Sequence, residues 1–289
     1  SSYLEIEERE PGISATPFSF ERIALPYSSE EPHQRKYASP TLAVRSREPI
    51  LDAYSVQAVK KAAEDVWKAE KGDDTSTSRF TYQYSGNNEA HVFDFITSSA
   101  TTGTEKSTGD HAITALNKAL QQKIYPTIRK AFFETNNGSE NDDGTRLFVY
   151  DALVIRYNST KAAEAEETAT AIPSAGQPLH RDLGLISVNI MLNSADDFEG
   201  GGTFFENQLL DSASTIQPLK PDGVGYCLAH SASERHAGAG TTAGVRDILV
   251  LFVSACTSVG GAIQAPAELV SARLKSCRAF CESQAVDGK

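Results

Sequence analysis

Beyond Arg146 the chain breaks into short β-rich runs: Leu147 to Tyr157, Leu183 to Leu192, Thr203 to Phe205, Val224 to Leu228 and Ile248 to Val253. Polar and glycine-rich stretches separate them. Many short strands joined by such turns bury their apolar faces as two sheets packed on each other, a jelly-roll-like arrangement. The run from Gly184 to Leu192 puts Ile186, Val188, Ile190 and Leu192 on one face and Ser187, Asn189 and Met191 on the other. The first face suits a core. The second, with its small and polar groups, suits the wall of a pocket.

The preceding half has helical patterns instead. Ile50, Tyr54, Ala58, Ala62 and Val66 predict an amphipathic helix that Gly72-Asp73-Asp74 ends. A second helix is predicted from Asp110, with Ile113, Leu116, Leu120, Ile124 and Ile128 on one face and a kink at Pro126. Between them, Phe80-Tyr82-Tyr84 and Val92-Phe93-Phe95 flank Gly86-Asn87-Asn88 like the arms of a hairpin. The expected organisation is an irregular extension over 1–48, a mainly helical part over 49–145, a β-rich core over 146–256 and a helical tail over 257–289, with a last helix from Pro266 to Glu282. The expected class is α+β, with helices packed on one sheet of the core and all parts forming one compact domain.

Composition narrows the function classes. A formal charge of −11 disfavours a nucleic-acid backbone as partner, because phosphate binding needs clustered Lys and Arg. No apolar run approaches the roughly 20 residues that span a bilayer. The chain opens at Ser1, which either removal of a targeting segment or trimming explains, and the compartment stays open between cytoplasmic and secretory. Cys227 and Cys256 fall in apolar runs and read as buried thiols. Cys277 and Cys281 stand one helical turn apart, as a disulfide or as free thiols. Asn137-Gly138-Ser139 and Asn158-Ser159-Thr160 fit the glycosylation pattern, which also arises by chance. The 158–179 segment is rich in Ala, Glu and Thr, and reads as an exposed loop or as a lid over a pocket. Oligomeric state is not legible.

The chemistry lies in His180-Arg181-Asp182, His236 and Arg246. Two imidazoles and a carboxylate can hold one face of an octahedral Fe(II), leaving three positions for co-substrate and dioxygen. At i and i+2 on a strand, His180 and Asp182 point to the same side. His236 must arrive from a distant strand, and Arg246, ten residues on, can hold an anion. His230 competes with His236 but lacks the following Gly-x-Arg spacing. His33 carries no motif, and His91 and His111 read as surface or structural residues. Asp247 points to the opposite face from Arg246 and reads as a structural contact. Phe198-Glu199-Gly200-Gly201-Gly202-Thr203 suits a tight turn or a close backbone approach; the lysine and helix of a phosphate-binding loop are missing.

Leu153 to Tyr157, His180-x-Asp182, Leu192-Asn193 followed by Phe198 to Phe205, and His236 through Gly244-x-Arg246 resemble, in order, the prolyl 4-hydroxylase-like branch of the 2-oxoglutarate and Fe(II) dependent dioxygenases. The resemblance covers roughly residues 147 to 254. It implies a double-stranded β-helix (cupin-like) core, with His180, Asp182 and His236 as iron ligands and Arg246 on the distal carboxylate of 2-oxoglutarate. Tyr157 matches a tyrosine that hydrogen-bonds the co-substrate, or is a core aromatic. Asn189 and Met191 match positions that touch co-substrate and substrate.

The implied reaction consumes 2-oxoglutarate and dioxygen, with ascorbate as a reductant, and hydroxylates an unactivated C–H bond with release of succinate and carbon dioxide. A prolyl residue of a peptide is one substrate the resemblance implies. A free amino acid or natural product, with hydroxylation, desaturation or cyclisation, is the alternative. A jelly-roll protein that keeps a metal without catalysis is a further reading.

Overall fold

The computed structural model describes residues 19–24, 41–70, 87–95, 108–133, 145–159, 175–206 and 217–257. The expected strand at Phe80 to Tyr84, most of the 158–179 insertion, Asn137, Cys277, Cys281 and the helix expected from Pro266 lie outside these residues.

Helix α1 spans Ala53–Glu70. Asp52 caps it: its Oδ1 accepts the Ser55 N–H at 2.7 Å, and its carbonyl accepts the Val56 N–H at 2.9 Å, which satisfies donors that a helix start leaves open. The buried stripe is Val56, Val59, Ala63 and Val66 with Ala62, steps of three and four residues as a 3.6-residue turn requires. The sequence reading had stepped by four throughout, which drifts about 40° per step off the face. Tyr54, placed on the buried face by that reading, is instead 69% exposed.

Helix α2 spans Thr108–Ala119 and buries Ile113 and Leu116 as expected. The chain stays helical across Pro126, through α3 at Tyr125–Ile128. Wider π-helical turns at Leu120–Ile124 and Arg129–Phe133 flank that segment. Proline removes one intrahelical donor, and wider turns on either side accommodate such a loss.

Among the described residues there are ten strands, numbered in chain order: β1 Phe20–Ala24, β2 Thr41–Ser46, β3 Asn87–His91, β4 Thr145–Asn158, β5 Ala175–His180, β6 Ile186–Met191, β7 Phe198–Gly200, β8 Thr203–Phe205, β9 Cys227–Ser231 and β10 His236–Thr257. The larger face runs β1-β2-β9-β6-β10-β4-β3. The first part of β10 pairs instead with β5, β7 and β8. One long strand thus belongs to both faces of a curled antiparallel sheet, of the β-sandwich or jelly-roll kind.

The 1–48 segment, expected to be irregular, contributes β1 and β2. Their pairing with each other and with β9 supplies the order that their short, charged sequences do not signal. The Val92-Phe93-Phe95 arm, read as a hairpin strand, is a short 3-10 helix from Val92 to Phe95, while Asn87 and Asn88, read as turn residues, belong to β3. Short apolar runs do not distinguish strand from helix.

The two faces of β4 and β10 divide cleanly. Val149, Val154, Leu249, Leu251 and Val253 join the helices in the main core. Leu153, Ile155, Tyr157, Ile248 and Val250 form a separate cluster on the other side. Where α1 crosses the sheet, Asp247 takes Arg156 at 2.8 Å and Lys60 at 3.4 Å, and the Arg156 guanidinium lies 4.7 Å from the Trp67 ring centre. Asp247 makes the structural contact its alternation beside Arg246 implied.

Candidate metal centre

His180 ends β5 and His236 begins β10, and the register sets the two directly opposite each other. Cross-strand neighbours hold their Cβ atoms about 4.5–5.5 Å apart, and here the imidazole centroids are 4.5 Å apart. Asp182 does not share a strand with His180, as the i, i+2 reading expected. The strand stops at His180, and Asp182 lies in the short irregular connection to β6, just before a bend at residues 183–185. Ser187 Oγ, on the polar face of β6, donates to its Oδ2 and fixes the carboxylate without the strand.

Three ligand atoms, one from each of His180, Asp182 and His236, lie within 4.8 Å of one another. His180 Nε2 is 3.2 Å from Asp182 Oδ1, and His236 Nε2 is 3.3 Å from Oδ2. Both Nδ1 atoms face backbone carbonyls, of Pro178 at 2.7 Å and of Glu234 at 2.9 Å. A carbonyl only accepts, so each Nδ1 carries the proton, and in the neutral tautomer each Nε2 offers its lone pair to the centre. Such carbonyl contacts also orient metal-binding imidazoles. Burial opposes a charge on Asp182, but its close contacts with the His180 and His236 imidazoles hold its carboxyl far below the usual range. Two imidazole nitrogens and an ionised carboxylate that converge in this way fit a divalent transition metal.

His230, the rival ligand, is not part of this set. It is wholly buried, with its ring centre 4.4 Å from His236 and 5.2 Å from Phe205. Its Nε2 faces Asn189 Nδ2 at 3.3 Å, and its Nδ1 faces the Ser231 carbonyl at 3.2 Å. Burial and the neighbouring His236 push its pKa down to about 3. It is a neutral wedge that packs against a ligand and engages the Asn189 amide.

Arg246 lies on the same strand as His236, opposite Tyr157 on β4. Its guanidinium sits 5.2 Å from the centre of the Tyr157 ring. Gly201, at φ 69°, lets the arginine lie against bare backbone: a Cβ there would stand 2.8 Å from Arg246 Cδ. Arg246 is 3% exposed, yet its Nε and Nη1 have no hydrogen-bond partner among the described residues. A buried cation without a partner is costly, so the geometry fits an anion, and the planar fork suits a carboxylate. Burial pushes the Tyr157 phenol up to about 12 against the pull of Arg246, which leaves a neutral O–H donor. Lys220 adds a second cation nearby, with its ammonium 5.6 Å from the Phe198 ring centre.

A cavity of about 310 Å³ joins His180, Asp182 and His236 to Arg246, Tyr157 and Asn189. Met191 is not among the lining residues. It is buried in β6 beside Ile248 of β10. The same cavity takes in Glu89, Tyr150 and Asp151, which the sequence reading did not assign. Alternation within Asn87-Asn88-Glu89-Ala90-His91 was the available signal for Glu89. Asp151 had none, because a register shift between β4 and β10 at Phe252/Val253 leaves Tyr150 as an extra residue, and such bulges re-aim side chains. Among the described helices none is long and apolar enough to cross a membrane.

No protein-family model matches the sequence, and no curated protein matches it. Solved structures similar to this chain include a 2OG-Fe(II) oxygenase family oxidoreductase from Burkholderia pseudomallei, 19% identical, over 50% of this chain with a TM-score of 0.35. That match spans 56% of the Burkholderia protein. AviO1 from Streptomyces viridochromogenes is 12% identical over 79% of this chain and 94% of its own, with a TM-score of 0.46. A prolyl-4-hydroxylase from Pseudomonas putida is 14% identical over 72% of this chain and 90% of its own, with a TM-score of 0.39.

Proposed function

We propose that this chain is an Fe(II)- and 2-oxoglutarate-dependent oxygenase with a double-stranded β-helix core, which hydroxylates an unactivated C–H bond. The observation that carries the reading is the pairing, in one cavity, of the His180–Asp182–His236 donor set with the buried guanidinium of Arg246, whose Nε and Nη1 have no partner among the described residues. A metal-binding jelly roll without catalysis gives no reason to bury an unpaired arginine beside the metal ligands.

Each residue then has a defined task. His180, Asp182 and His236 hold the iron through Nε2 and carboxylate oxygens, with Ser187 and the Pro178 and Glu234 carbonyls keeping those donors oriented. Arg246 takes the distal carboxylate of 2-oxoglutarate, Tyr157 offers its neutral hydroxyl to the same molecule, and Asn189 closes the adjacent wall. Iron held by these residues would, with 2-oxoglutarate and dioxygen, supply the oxidising power, the co-substrate leaving as succinate and carbon dioxide. The apolar side chains of Leu153, Ile155, Ile248 and Val250 exclude water from the reacting C–H bond. Within this reading, a prolyl residue of a peptide is the substrate that the sequence resemblance favours.

The protein with Fe(II), ascorbate and candidate substrates should convert 2-oxoglutarate to succinate, and Arg246→Ala should weaken 2-oxoglutarate binding while metal is retained. Metal-loaded protein that neither binds 2-oxoglutarate nor forms succinate with any candidate overturns the reading.

A further inference from the structure

The cavity continues past the metal ligands along a wall built from β3, β4 and β10. Glu89 stands opposite Ile155 in the β3–β4 register, and cross-strand partners share a face, so Glu89 enters the cavity beside Ile155. Asp151, 6% exposed, enters through the irregularity next to Phe252. Its carboxylate accepts the Ala152 N–H at 2.9 Å and stands 3.4 Å from His91 Nδ1. Glu89 has no hydrogen-bond partner among the described residues, and burial with the nearby Asp151 charge raises its pKa. On the same wall the rings of Tyr150 and Phe252 lie 5.9 Å apart.

The charges lining this cavity do not balance. Asp182 is matched by the metal, and Arg246 by the anion it is shaped to receive. Arg181 is exposed and donates to the Ser233 carbonyl. Among the described residues, Glu89 and Asp151 then remain with only the part-buried His91 beside them. Arg246, nine-tenths buried, lines the same cavity with its Nε and Nη1 unpartnered among the described residues, and so independently marks the space as one that receives ligands. Carboxylates next to aromatic faces are the usual setting for an organic cation.

We propose that the substrate of this oxygenase carries a protonated amine or guanidine, seated between Glu89 and Asp151 and against Tyr150 and Phe252. The proposal rests on the oxygenase reading for what happens to that substrate, and on the cavity's own residues for what binds. The volume of about 310 Å³ is shared with 2-oxoglutarate, which limits the substrate part to a small free amine or one basic side chain of a peptide.

The test is calorimetry on the full chain loaded with Mn(II) and 2-oxoglutarate. One arm compares pentylamine and agmatine with pentan-1-ol, which carries no ammonium group. The other compares a blocked Gly-Gly-Lys-Gly-Gly peptide with its norleucine counterpart. The cationic probe of at least one arm should bind tenfold or more tighter than its neutral partner, and the arm that responds identifies the source. Glu89→Gln should remove that preference at least tenfold, and Asp151→Asn likewise, while Glu89→Asp should restore part of it. Should Asp151→Asn fail to fold, Glu89→Gln decides alone. Equal binding of cationic and neutral probes in both arms, or a preference that survives Glu89→Gln, overturns the proposal. The 2-oxoglutarate affinity of the same preparations separates the two readings: its loss in the unaltered chain defeats the oxygenase reading, whatever the cations do.

Discussion

Gly201→Ala tests the anion seat without touching the arginine itself. The backbone there has φ 69°, and left-handed backbone costs an alanine about 1–2 kcal/mol. For a chain of this size that lowers Tm by roughly 2–8 °C. A second effect is steric. The new methyl would lie 2.8 Å from Arg246 Cδ, 3.2 Å from its Nε and 3.3 Å from Phe198 Cε2, so the arginine stem has to move. A hydrogen bond between charged groups contributes about 1.5–3 kcal/mol. Losing one of a bidentate pair therefore weakens 2-oxoglutarate binding roughly tenfold to a hundredfold. Calorimetric titration of Mn(II)-loaded protein gives the affinity, and a thermal melt gives the stability. Gly225→Ala is the control: it has φ 79° and a Cβ that meets the Leu51 carbonyl oxygen at 2.1 Å, outside the cavity. It should lose stability and keep 2-oxoglutarate affinity. Unchanged affinity in Gly201→Ala would falsify the assignment of Arg246 as the anion seat, and an equal loss in Gly225→Ala would show the effect to be global.

Three other predictions follow from separate parts of the molecule. His180→Ala and Asp182→Ala should each abolish stoichiometric Fe(II) or Co(II) binding by metal analysis, and a variant that keeps one equivalent would remove its residue from the ligand set. Asp247→Asn weakens the pairing with Arg156 and Lys60 and should cost about 1.5–3 kcal/mol in urea unfolding, with 2-oxoglutarate affinity intact; a neutral effect would contradict the contact under α1. Burial raises the Glu89 carboxyl pKa, so the folded chain holds that proton more tightly than the unfolded one, and the ionised group costs stability as pH rises from the unfolded value through the folded one. Glu89→Gln should therefore raise Tm at pH 7, with the gain gone below the ordinary glutamate value of about 4.3; a gain independent of pH would refute this.

The candidate metal donors and the nearby arginine could be singled out in the sequence because residue type and spacing are local signals: His180, Asp182, His236 and Arg246 stand out before any fold is known, and the structure brings them to one cavity. The main strands were legible from alternation, as in β6, where Ser187 and Asn189 do face the site. β5 was not, since Ala175-Gly176-Gln177-Pro178-Leu179-His180 has few β-formers and is a strand because β10 pairs with it. The same holds for β1 and β2. Val92 to Phe95 shows the converse error, an apolar aromatic run whose length fits either structure. Asp151 and Tyr150 stayed invisible for a different reason. A register shift between two strands is a property of the pair, and neither strand's own sequence announces it.

The ten-residue interval between His236 and Arg246 carries more structural information than its use as a motif suggests. On a straight strand it spans about 33 Å, far too long for both side chains to face one small cavity. β10 shortens the path by changing sheets. Its register slips between His236 and Gly238 and between Gly238 and Thr241 against β5, and again between Thr241 and Ala243 against β7. Gly244, at φ 75°, then turns where a Cβ would strike the Asp197 carbonyl oxygen at 2.1 Å. Only beyond that turn does regular pairing with β4 begin, which puts Arg246 on the cavity side and Asp247 under α1. A one-residue slip at this point would exchange those two side chains, burying a carboxylate at the anion seat and an arginine beneath the helix. The glycine two residues before the arginine is thus the feature that decides which charge faces the candidate metal centre.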